Sequence, residues 1–432
     1  MKKPRLKFQA PTGTRDLLPE DLAYYKKIYS LAEEYAQFYG FKRIEPPILE
    51  DYELFLKSTG ATTDIVEKQM YILKTKGGEI LALRPEFTPS LARSYFENGM
   101  ISWPHPVKLY TRGPLFRYEK PQAGRYRQFH QINFEIFGSK KPIAEIEIIW
   151  IFLKILEKLG IKKIVVEINS IGDSQCRPYY KKILTRYLKH NQHLLCATCK
   201  RRLKKNPLRV LDCKEIKCQK VIKEAPQIID YLCEECHDHF EKVLEYLEAL
   251  QIPYNLNPYL VRGLDYYTKT VFEIILEKNL QKRQNALAGG GRYDGLLRLI
   301  GKQDIPAAGV AGGVERIIEV LKDNNISFEE EQKREAKVLI AQLGDEAKIE
   351  SLKLIEEFWR AKIPVEFLLT KDSLTNQLKI ANRKKIKYVV IIGKEEVIKK
   401  ASILRDMETG KQESIQREKL VKEIKKLLKK NK

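Results

Sequence analysis

The stretch LYTRGPLFRYEKPQAGRYRQFHQINFEIFG, residues 109–138, decides the fold class, because it has the pattern of strand, loop and strand. Side chains alternate across a strand, so its second half has two different sides. One side carries Ile132, Phe134 and Ile136. The other carries Gln131, Asn133 and Glu135. A polar row in an apolar strand predicts the wall of a pocket for a small polar ligand, although a solvated sheet face gives the same pattern.

The neighbouring sequence extends this strand pair into a sheet. From 80 to 136, and again from 260 to 276, short strand-like runs alternate with Gly and Pro turns. This pattern predicts a mostly antiparallel sheet flanked by helices, an α+β fold. A helix is predicted from Pro19 to Gly40, with one apolar face at spacings of four and three: Tyr24, Ile28, Leu31, Tyr35 and Phe38.

Basic and aromatic residues are interleaved along this strand–loop–strand stretch. They are Arg112, Arg117, Tyr118, Lys120, Arg125, Tyr126 and Arg127. Guanidinium groups beside aromatic rings suit phosphate and base recognition, but a solvated charged hairpin is the commoner case. Neither a Walker A loop nor a G-x-G-x-x-G fingerprint is present, so any phosphate would be held by side chains.

Two glycine-rich stretches follow later in the chain, at 289–291 and 309–313. Glycine lets the backbone approach a ligand closely. Arg316 comes next, beside the apolar positions of a predicted helix, where an unpaired guanidinium is costly. An anionic partner is therefore predicted, either a ligand or an ordinary carboxylate.

Length and charge limit the possible classes of protein. The 432 residues imply two or three domains, and 79 Lys and Arg against 57 Asp and Glu give a net charge of +22. This charge suits a polyanionic partner, although a lysine-rich proteome would also explain it. No apolar run is long enough for a membrane span, and the N-terminus lacks the apolar region of an export signal. A cytoplasmic protein is expected.

Charge also indicates domain boundaries. Residues 170–250 read as a helical, cysteine-containing insertion, with 13 Lys and Arg against 2 Asp and Glu from 181 to 220. The sequence on either side, 1–169 and 251–325, forms the sheet-containing domain. A polar linker is expected at 326–336. Strand-like and helical runs alternate in 337–432, which predicts a small α/β domain with a net charge of +10.

All seven cysteines lie between 176 and 236, which argues for a local metal site rather than a disulfide framework. Two Cys-x-x-Cys pairs have zinc-site spacing. The spacing leaves open whether a structural Zn²⁺ is bound. If it is, the predicted ligands are Cys196, Cys199, Cys233 and Cys236.

Taken together, the sequence resembles the class II aminoacyl-tRNA synthetases, and within them the histidyl-tRNA synthetase family. The three class II motifs are YGFKRIEPPILED at 39–51, the stretch at 109–138, and AAGVAGGVERI at 307–317. Four further stretches resemble the histidyl family specifically: GTRDLLP at 13–19, LRPEFTPS at 83–90, LVRGLDYYTKTVFE at 260–273 and GGGRYDGL at 289–296.

The resemblance implies an antiparallel catalytic sheet, an insertion domain and a C-terminal anticodon-binding domain. It implies a homodimer with the first motif at its interface. It also implies ATP and Mg²⁺, and L-histidine and tRNA(His) as partners. The implied reaction forms histidyl-adenylate and then transfers histidine to the 3′ end of the tRNA. Zinc is not general in the family, and the stretch around Cys213 resembles family sequence that is independent of metal.

The resemblance also implies roles for single residues. Arg117 and Arg262 would hold the α-phosphate during catalysis, and Arg316 the γ-phosphate. Gln122 and Arg125 would approach the tRNA acceptor end. The histidine-binding residues would be Glu86, Thr88, Gln131, Glu135, Tyr266, Tyr267 and Tyr293. For the three tyrosines, sheet packing is the ordinary alternative.

One alternative lies inside the resemblance. A non-catalytic regulatory paralogue pairs with ATP phosphoribosyltransferase, and it usually lacks the anticodon-binding tail. Arg117, Arg262, Arg316 and a basic tail are all present in this chain, so the sequence favours the enzyme. A stand-alone RNA-binding protein would explain the charge but not the polar strand.

Overall fold

The computed structural model describes residues 8–60, 63, 65–122, 124–277, 286–328 and 336–430. The chain divides into two compact units, Met1–Phe328 and Glu329–Lys432. The division falls inside the predicted linker 326–336, of which 329–335 lie outside the described residues. Within the described part, no helix combines the length and apolarity that crossing a membrane requires.

The first unit is built on an eight-stranded sheet. Its strands, in spatial order, are β1 (Lys42–Arg43), β5 (Val107–Phe116), β6 (Gln128–Phe137), β11 (Ala307–Gly313), β10 (Ala288–Arg292), β9 (Thr268–Leu276), β7 (Ile164–Ser170) and β8 (Tyr254–Leu256). The two outermost pairings, β1 with β5 and β7 with β8, are parallel and the others antiparallel. A second sheet has the order β2 (Leu49–Asp51), β4 (Ile80–Leu83), β3 (Tyr71–Lys74). The predicted mostly antiparallel sheet is confirmed.

Helices cover this sheet and fill the segment between β7 and β8. The flanking helices are α1 (Pro19–Phe38), α2 (Tyr52–Thr59), α3 (Thr88–Glu97), α4 (Ile143–Lys158), α9 (Leu296–Gly301) and α10 (Val314–Asp323). The intervening helices are α5 (Arg177–His190), α6 (Ala197–Lys205), α7 (Ile216–Ile222) and α8 (Glu234–Ala249). Apolar residues of α5 to α7 share one core with Tyr266, Tyr267 and Tyr293. The boundaries 170–250 of the insertion stay a prediction.

The first helix differs from its prediction in one respect. Ile28 and Leu31 are buried as expected, together with Tyr25, but Phe38 is 83% exposed. The buried face of α1 ends at Ala36. The prediction from residue spacing therefore included one position, Phe38, that the helix does not bury.

The second unit has its own five-stranded sheet, in the order β13 (Val365–Phe367), β12 (Val338–Gln342), β14 (Tyr388–Ile392), β15 (Ala401–Asp406), β16 (Gln412–Gln416). Four helices accompany it: α11 (Asp345–Arg360), α12 (Leu374–Arg383), α13 (Lys394–Ile398) and α14 (Arg417–Lys430). Strands β13, β12 and β14 are parallel, as expected where helices connect neighbouring strands. The predicted α/β domain is confirmed.

A buried ion network ties α4 to the central sheet. Arg292 at the end of β10 and Glu145 in α4 are both 0% exposed. The guanidinium donates from Nε to Glu145 Oε1 at 2.8 Å and from Nη2 to Oε2 at 2.5 Å. His239 of α8 lies 2.6 Å from the same Oε1. The arginine of the GGGRYDGL stretch is thus structural.

Candidate active site

A cavity of about 380 Å³ lies on the polar side of β6. The predicted residues that line it are Glu86, Thr88, Arg117, Arg125, Gln131, Glu135, Arg262, Tyr266, Tyr267, Tyr293 and Arg316. Asn133 lines it as well, so the whole polar row of that strand faces the cavity. The pocket interpretation of strand alternation is confirmed, and the solvated-face alternative is wrong.

One end of the cavity is built around Glu135, which is 1% exposed. Thr88 Oγ1 donates to its Oε1 at 2.7 Å, and the Tyr293 hydroxyl donates to its Oε2. Burial raises the pKa of Glu135 to about 7. Gly309 pairs with it across the sheet, and a Cβ there would lie 1.5 Å from Oε2. The glycine of β11 therefore leaves room for this carboxylate.

A second buried carboxylate, Glu86, lies close by. It accepts hydrogen bonds from Thr59 Oγ1 at 3.0 Å and from the Tyr266 hydroxyl at 2.9 Å. Burial raises the pKa of Glu86 above its ordinary value. Thr59 lies at the end of α2, and nothing in its local sequence marked it. Two carboxylates bonded mainly to hydroxyls suit a ligand that brings positive charge or N–H donors.

The other end of the cavity is rich in arginine. Arg117 Nε donates to the Pro85 carbonyl at 2.9 Å, and Arg316 Nη1 donates to the Ala286 carbonyl at 2.8 Å. Among the described residues, neither guanidinium forms a salt bridge with a carboxylate. Burial, with the neighbouring Arg125, lowers the pKa of Arg316. Within the part of the chain that the structure describes, no carboxylate pairs with Arg316, so this end suits an anion.

The third arginine is held differently. Arg262 Nη1 donates to Glu273 Oε1, a partner that the sequence analysis missed. Gly289 lies against the same guanidinium, since a Cβ there would lie 2.4 Å from Nη1. Glu273 lies on β9, within the quoted stretch 260–273, so a polar residue in an apolar strand was the available signal. The salt bridge fixes the direction in which Arg262 points.

Glu315 is a further residue that the sequence analysis missed. It accepts the Tyr25 hydroxyl at 2.9 Å and the backbone N–H of His130 at 2.9 Å. His130 Nδ1 also lies 2.8 Å from Oε1. Glu315 therefore joins α1, β6 and the start of α10, directly beside Arg316. Its position in the third motif was the available signal.

The two predicted tRNA-contacting residues form a tight turn. Gln122 N–H donates to the Arg125 carbonyl at 3.2 Å, and Arg125 N–H donates to the Gln122 carbonyl at 2.9 Å. Arg125 lines the cavity, whereas Gln122 is exposed and does not. The turn thus holds one polar side chain in solvent beside the arginine-rich end.

The cysteines form two groups rather than one. Cys196 and Cys199 lie with Cys213 and Cys218, whereas Cys233 and Cys236 lie with Asp173 and Cys176. The expectation of a single set made of the two Cys-x-x-Cys pairs is therefore wrong. The pairs begin two different helices, α6 and α8, and each helix start meets a different part of the chain.

The profile of histidyl-tRNA synthetase matches residues 13–317. The chain belongs to the histidyl-tRNA synthetase family. The profile of an anticodon binding domain matches residues 337–427, which is nearly all of the second unit. The sequence resemblance is confirmed.

Individual relatives of this family match end to end. The histidine–tRNA ligase of Halothermothrix orenii is 43% identical over 420 residues, covering 97% of this chain and 99% of the relative. That of Desulfitobacterium hafniense (strain DSM 10664 / DCB-2) is 42% identical over 406 residues, covering 94% of each. The crystal structure of apo Staphylococcus aureus histidyl-tRNA synthetase has a TM-score of 0.75 at 34% identity, covering 96% of this chain and 99% of that one.

Proposed function

We propose that this chain is a histidine–tRNA ligase that activates L-histidine with ATP and transfers it to the 3′ end of tRNA(His). The observation that carries the proposal is the division of one cavity. Two buried carboxylates, Glu86 and Glu135, lie at one end, and four arginines line the other part of the cavity. Histidine brings an ammonium group and an imidazole, and ATP brings phosphates, so each end complements one substrate.

The two steps follow from this arrangement. An oxygen of histidine's carboxylate attacks the α-phosphorus of ATP, the bond to the bridging oxygen breaks, and pyrophosphate leaves. A terminal ribose hydroxyl of the tRNA then attacks the carbonyl carbon, and AMP leaves. Neither step needs a protein nucleophile. Catalysis comes from positioning and from positive charge at the phosphate oxygens.

The arginine roles are assigned as the resemblance implies. Arg117 and Arg262 hold the α-phosphate, and Arg316 holds the γ-phosphate. A guanidinium stays charged and offers a planar set of donors, which suits phosphate oxygens. Mg²⁺ would neutralise phosphate charge, and the carboxylates Glu119 and Glu273, which line this end, are oxygen ligands of the kind it prefers.

The histidine roles concern the other end. Glu86, Thr88 and Gln131 hold the α-amino group and the adjoining part of histidine. Glu135 and Tyr267 pair with the two imidazole nitrogens, with Tyr266 and Tyr293 completing the wall. A carboxylate and a phenol can bond both ring nitrogens, which an apolar side chain of similar size cannot.

ATP/pyrophosphate exchange, measured with magnesium and without tRNA, tests the reaction. Each of the twenty amino acids is supplied separately. Exchange with histidine alone is expected. A folded chain that exchanges with none would instead be the regulatory paralogue, which the end-to-end matches to histidine–tRNA ligases do not favour.

Glu135→Gln is expected to raise the KM for histidine about 10- to 100-fold, because hydrogen bonds to charged groups contribute about 1.5–3 kcal/mol. The ionised carboxylate is the acceptor for the imidazole N–H. Since the pKa of Glu135 is about 7, the wild-type KM should rise as the pH falls through 7. Exchange measured from pH 6 to 9 checks both statements.

Free histidine also titrates in this range, and that effect is common to both proteins. The ratio of the two KM values therefore isolates Glu135. This ratio should shrink as the pH falls, because Glu135 of the wild type loses its negative charge, whereas the glutamine of the variant is neutral throughout. A ratio that stays constant from pH 6 to 9 would contradict the assignment.

The tRNA contacts extend beyond the cavity. The basic second unit reads the anticodon end, while Gln122 and Arg125 approach the acceptor end. The insertion contributes charge through α6, where Arg201 and Lys204 are exposed. Lys205 is bonded to Glu67 at 2.5 Å, and Arg202 donates to the Arg209 carbonyl at 3.1 Å, so these two also have structural roles.

Replacing Arg201 and Lys204 together by glutamate is expected to raise the KM for tRNA about tenfold, because phosphate contacts dominate nucleic-acid affinity. The salt dependence of log KM should also become shallower, by about one unit per lost contact. Aminoacylation at several salt concentrations measures both. Exchange without tRNA serves as the control and should not change. An unaltered KM for tRNA would remove the insertion from the tRNA-binding surface.

A cytoplasmic homodimer completes the proposal. The small sheet, whose strand β2 lies within the first motif, exposes Leu49 and Leu73 on one face and Ile72 and Ile80 on the other, each between 43% and 54%. Exposed apolar side chains of a sheet favour an interaction surface. A second copy of the chain is the proposed occupant, and sedimentation of the purified protein would give its mass.

A structural zinc ion in the insertion is also part of the proposal, with the ligands Cys196, Cys199, Cys213 and Cys218. The Cys196 and Cys213 sulfurs are 3.9 Å apart, and all four sulfurs lie within 4.8 Å of one another. Backbone N–H groups of Cys196 and Cys199 donate to the sulfurs of Cys218 and Cys196 at 3.1 and 3.4 Å. Four thiolates around one ion suit tetrahedral Zn²⁺.

A further inference from the structure

Asp173, Cys176, Cys233 and Cys236 form a separate group, named the Asp173 cluster below. One ligand atom from each lies within 4.8 Å of the other three. The Cys176 and Cys236 sulfurs are 3.9 Å apart, and Asp173 Oδ1 lies 3.5 Å from the Cys176 sulfur and 4.0 Å from that of Cys233. Ligands about 2.0–2.3 Å from a tetrahedral Zn²⁺ are separated by about 3.5–3.8 Å. One ion therefore fits this spacing with little movement.

The backbone around the cluster is arranged to hold negative ligands. The N–H of Asp173 donates to the Cys176 sulfur at 3.3 Å. The N–H groups of Gln175 and Cys176 donate to Asp173 Oδ1 at 2.8 and 3.3 Å. Such donors orient metal ligands. Gly172 has a φ of +62°, and a Cβ there would lie 2.5 Å from the Cys176 sulfur. The loop is thus closed tightly over this sulfur.

We propose that the Asp173 cluster binds a second Zn²⁺ ion, separate from the Cys196 group, and that this ion positions the wall of the histidine pocket. The chain then holds two zinc ions. Three thiolates and one carboxylate suit Zn²⁺, whereas iron is the commoner alternative for four sulfurs. A disulfide between Cys176 and Cys236 would leave Cys233 and Asp173 without a shared role.

The link to the pocket runs through Arg177, the residue after Cys176. Its Nη2 donates to the carbonyls of Gly172 at 2.8 Å and Tyr267 at 2.7 Å, and its Nε donates to the Ile171 carbonyl at 3.0 Å. The Lys269 N–H donates to the Gly172 carbonyl at 2.8 Å. Loop 171–177 therefore anchors the backbone on both sides of Thr268. Tyr267, whose side chain lines the cavity, is held through the same loop.

The ion joins this loop to the start of α8, because Cys233 and Cys236 lie there. Without it, the loop loses the ligand bonds that hold it to the helix, and the Lys269 Nζ bond to Glu235 Oε1 of α8, at 2.6 Å, remains. Loosening the loop would release the Tyr267 carbonyl and let its ring shift. Histidine binding should weaken more than the chemical step, because Arg117 and Arg316 bond carbonyls outside this loop and Arg262 keeps its salt bridge to Glu273. This positioning role rests on the proposed function, whereas the metal site does not.

Metal content of the full-length chain tests the site directly. The protein is purified under reducing conditions without chelator, and zinc and iron are measured by mass spectrometry. Two zinc ions per chain are expected, falling to one in Cys236→Ser and to one in Cys213→Ser, which removes a ligand of the other group. One zinc or none in the wild type, iron in place of zinc, or two zinc ions in Cys236→Ser would overturn the proposal.

A titration of the wild-type chain keeps the test independent of how well the variants fold. A mercurial reagent is added stepwise, and released zinc is followed with a chromogenic chelator. Modification of all seven thiols should release two zinc ions per chain. Release of only one ion would leave a single site and overturn the proposal.

A matched pair of variants tests the positioning role. Asp173→Cys keeps a zinc ligand, whereas Asp173→Ala removes it. The cysteine variant should retain two zinc ions and a KM for histidine within twofold of the wild type. The alanine variant should retain one zinc ion and show a KM at least fivefold higher, with kcat changed less. Equal KM values in the two variants would refute the positioning role. A wild-type chain with two zinc ions but no exchange would instead contradict the proposed function.

Discussion

Arg262→Gln is expected to lower histidine-dependent ATP/pyrophosphate exchange about 10²- to 10³-fold, with most of the loss in kcat. Removing one preorganised donor from a site of developing negative charge typically has this effect. Arg262 points into the cavity from the stretch 260–273, and its salt bridge to Glu273 fixes its direction. Steady-state exchange with saturating ATP and histidine measures the change.

The variant leaves Glu273 without its cation, so a second variant separates the two effects. Burial already raises the pKa of Glu273, and Arg262→Gln combined with Glu273→Gln removes both charges together. The double variant should be no faster than the single one if the guanidinium acts on the phosphate. Recovery of exchange in the double variant would show that the unpaired carboxylate caused the loss. Arg298→Gln, at a 69% exposed side chain, is the matched control and should exchange normally.

Glu145→Gln is expected to lower the free energy of unfolding of the first unit by about 3–5 kcal/mol, because removing one partner of a buried ion pair leaves the other charge uncompensated. Arg292 and Glu145 are both 0% exposed, and glutamine cannot neutralise the guanidinium. Chemical denaturation followed by circular dichroism measures the difference.

The same helix offers a control for this prediction. Glu157→Gln removes the partner of Lys154, a pair in which the glutamate side chain is 66% exposed. The expected change is about 0–1 kcal/mol, since exposed pairs contribute little. Equal destabilisation by the two variants would show that burial of the Arg292 network does not matter.

The stabilisation that Glu145 and Arg292 provide should also depend on pH. Although burial opposes it, the charge of Arg292 and the hydrogen bond with His239 lower the pKa of Glu145 below its ordinary value. A carboxyl whose pKa is lower in the folded chain stabilises it above the unfolded pKa, and this contribution is lost as the pH falls through the folded value. The difference in free energy of unfolding between the wild type and Glu145→Gln should therefore become smaller at low pH.

The sequence by itself determined the features that follow from local periodicity. Period two in 127–137 placed Gln131 and Glu135 on one side of a strand, and the structure puts both in the cavity wall. The alternation of strand-like runs with turns predicted the antiparallel sheet. The alternation of strand-like runs with helical runs predicted the fold of the second unit. These patterns are local, because the direction of a side chain depends on its own backbone. The same reasoning failed at Phe38, where packing ends before the periodicity does.

Only the tertiary structure decided which distant residues meet. Glu86 bonds Thr59 and Tyr266, Arg292 bonds Glu145, and no spacing in the sequence relates these positions. The cysteines show the same limit. A Cys-x-x-Cys pair identifies two ligands on one helix turn, but the other two come from wherever the chain returns. Cys236 therefore meets Cys176, sixty residues away, rather than Cys196 or Cys199. Packing of helices onto the sheet, and not local sequence, determines these partners.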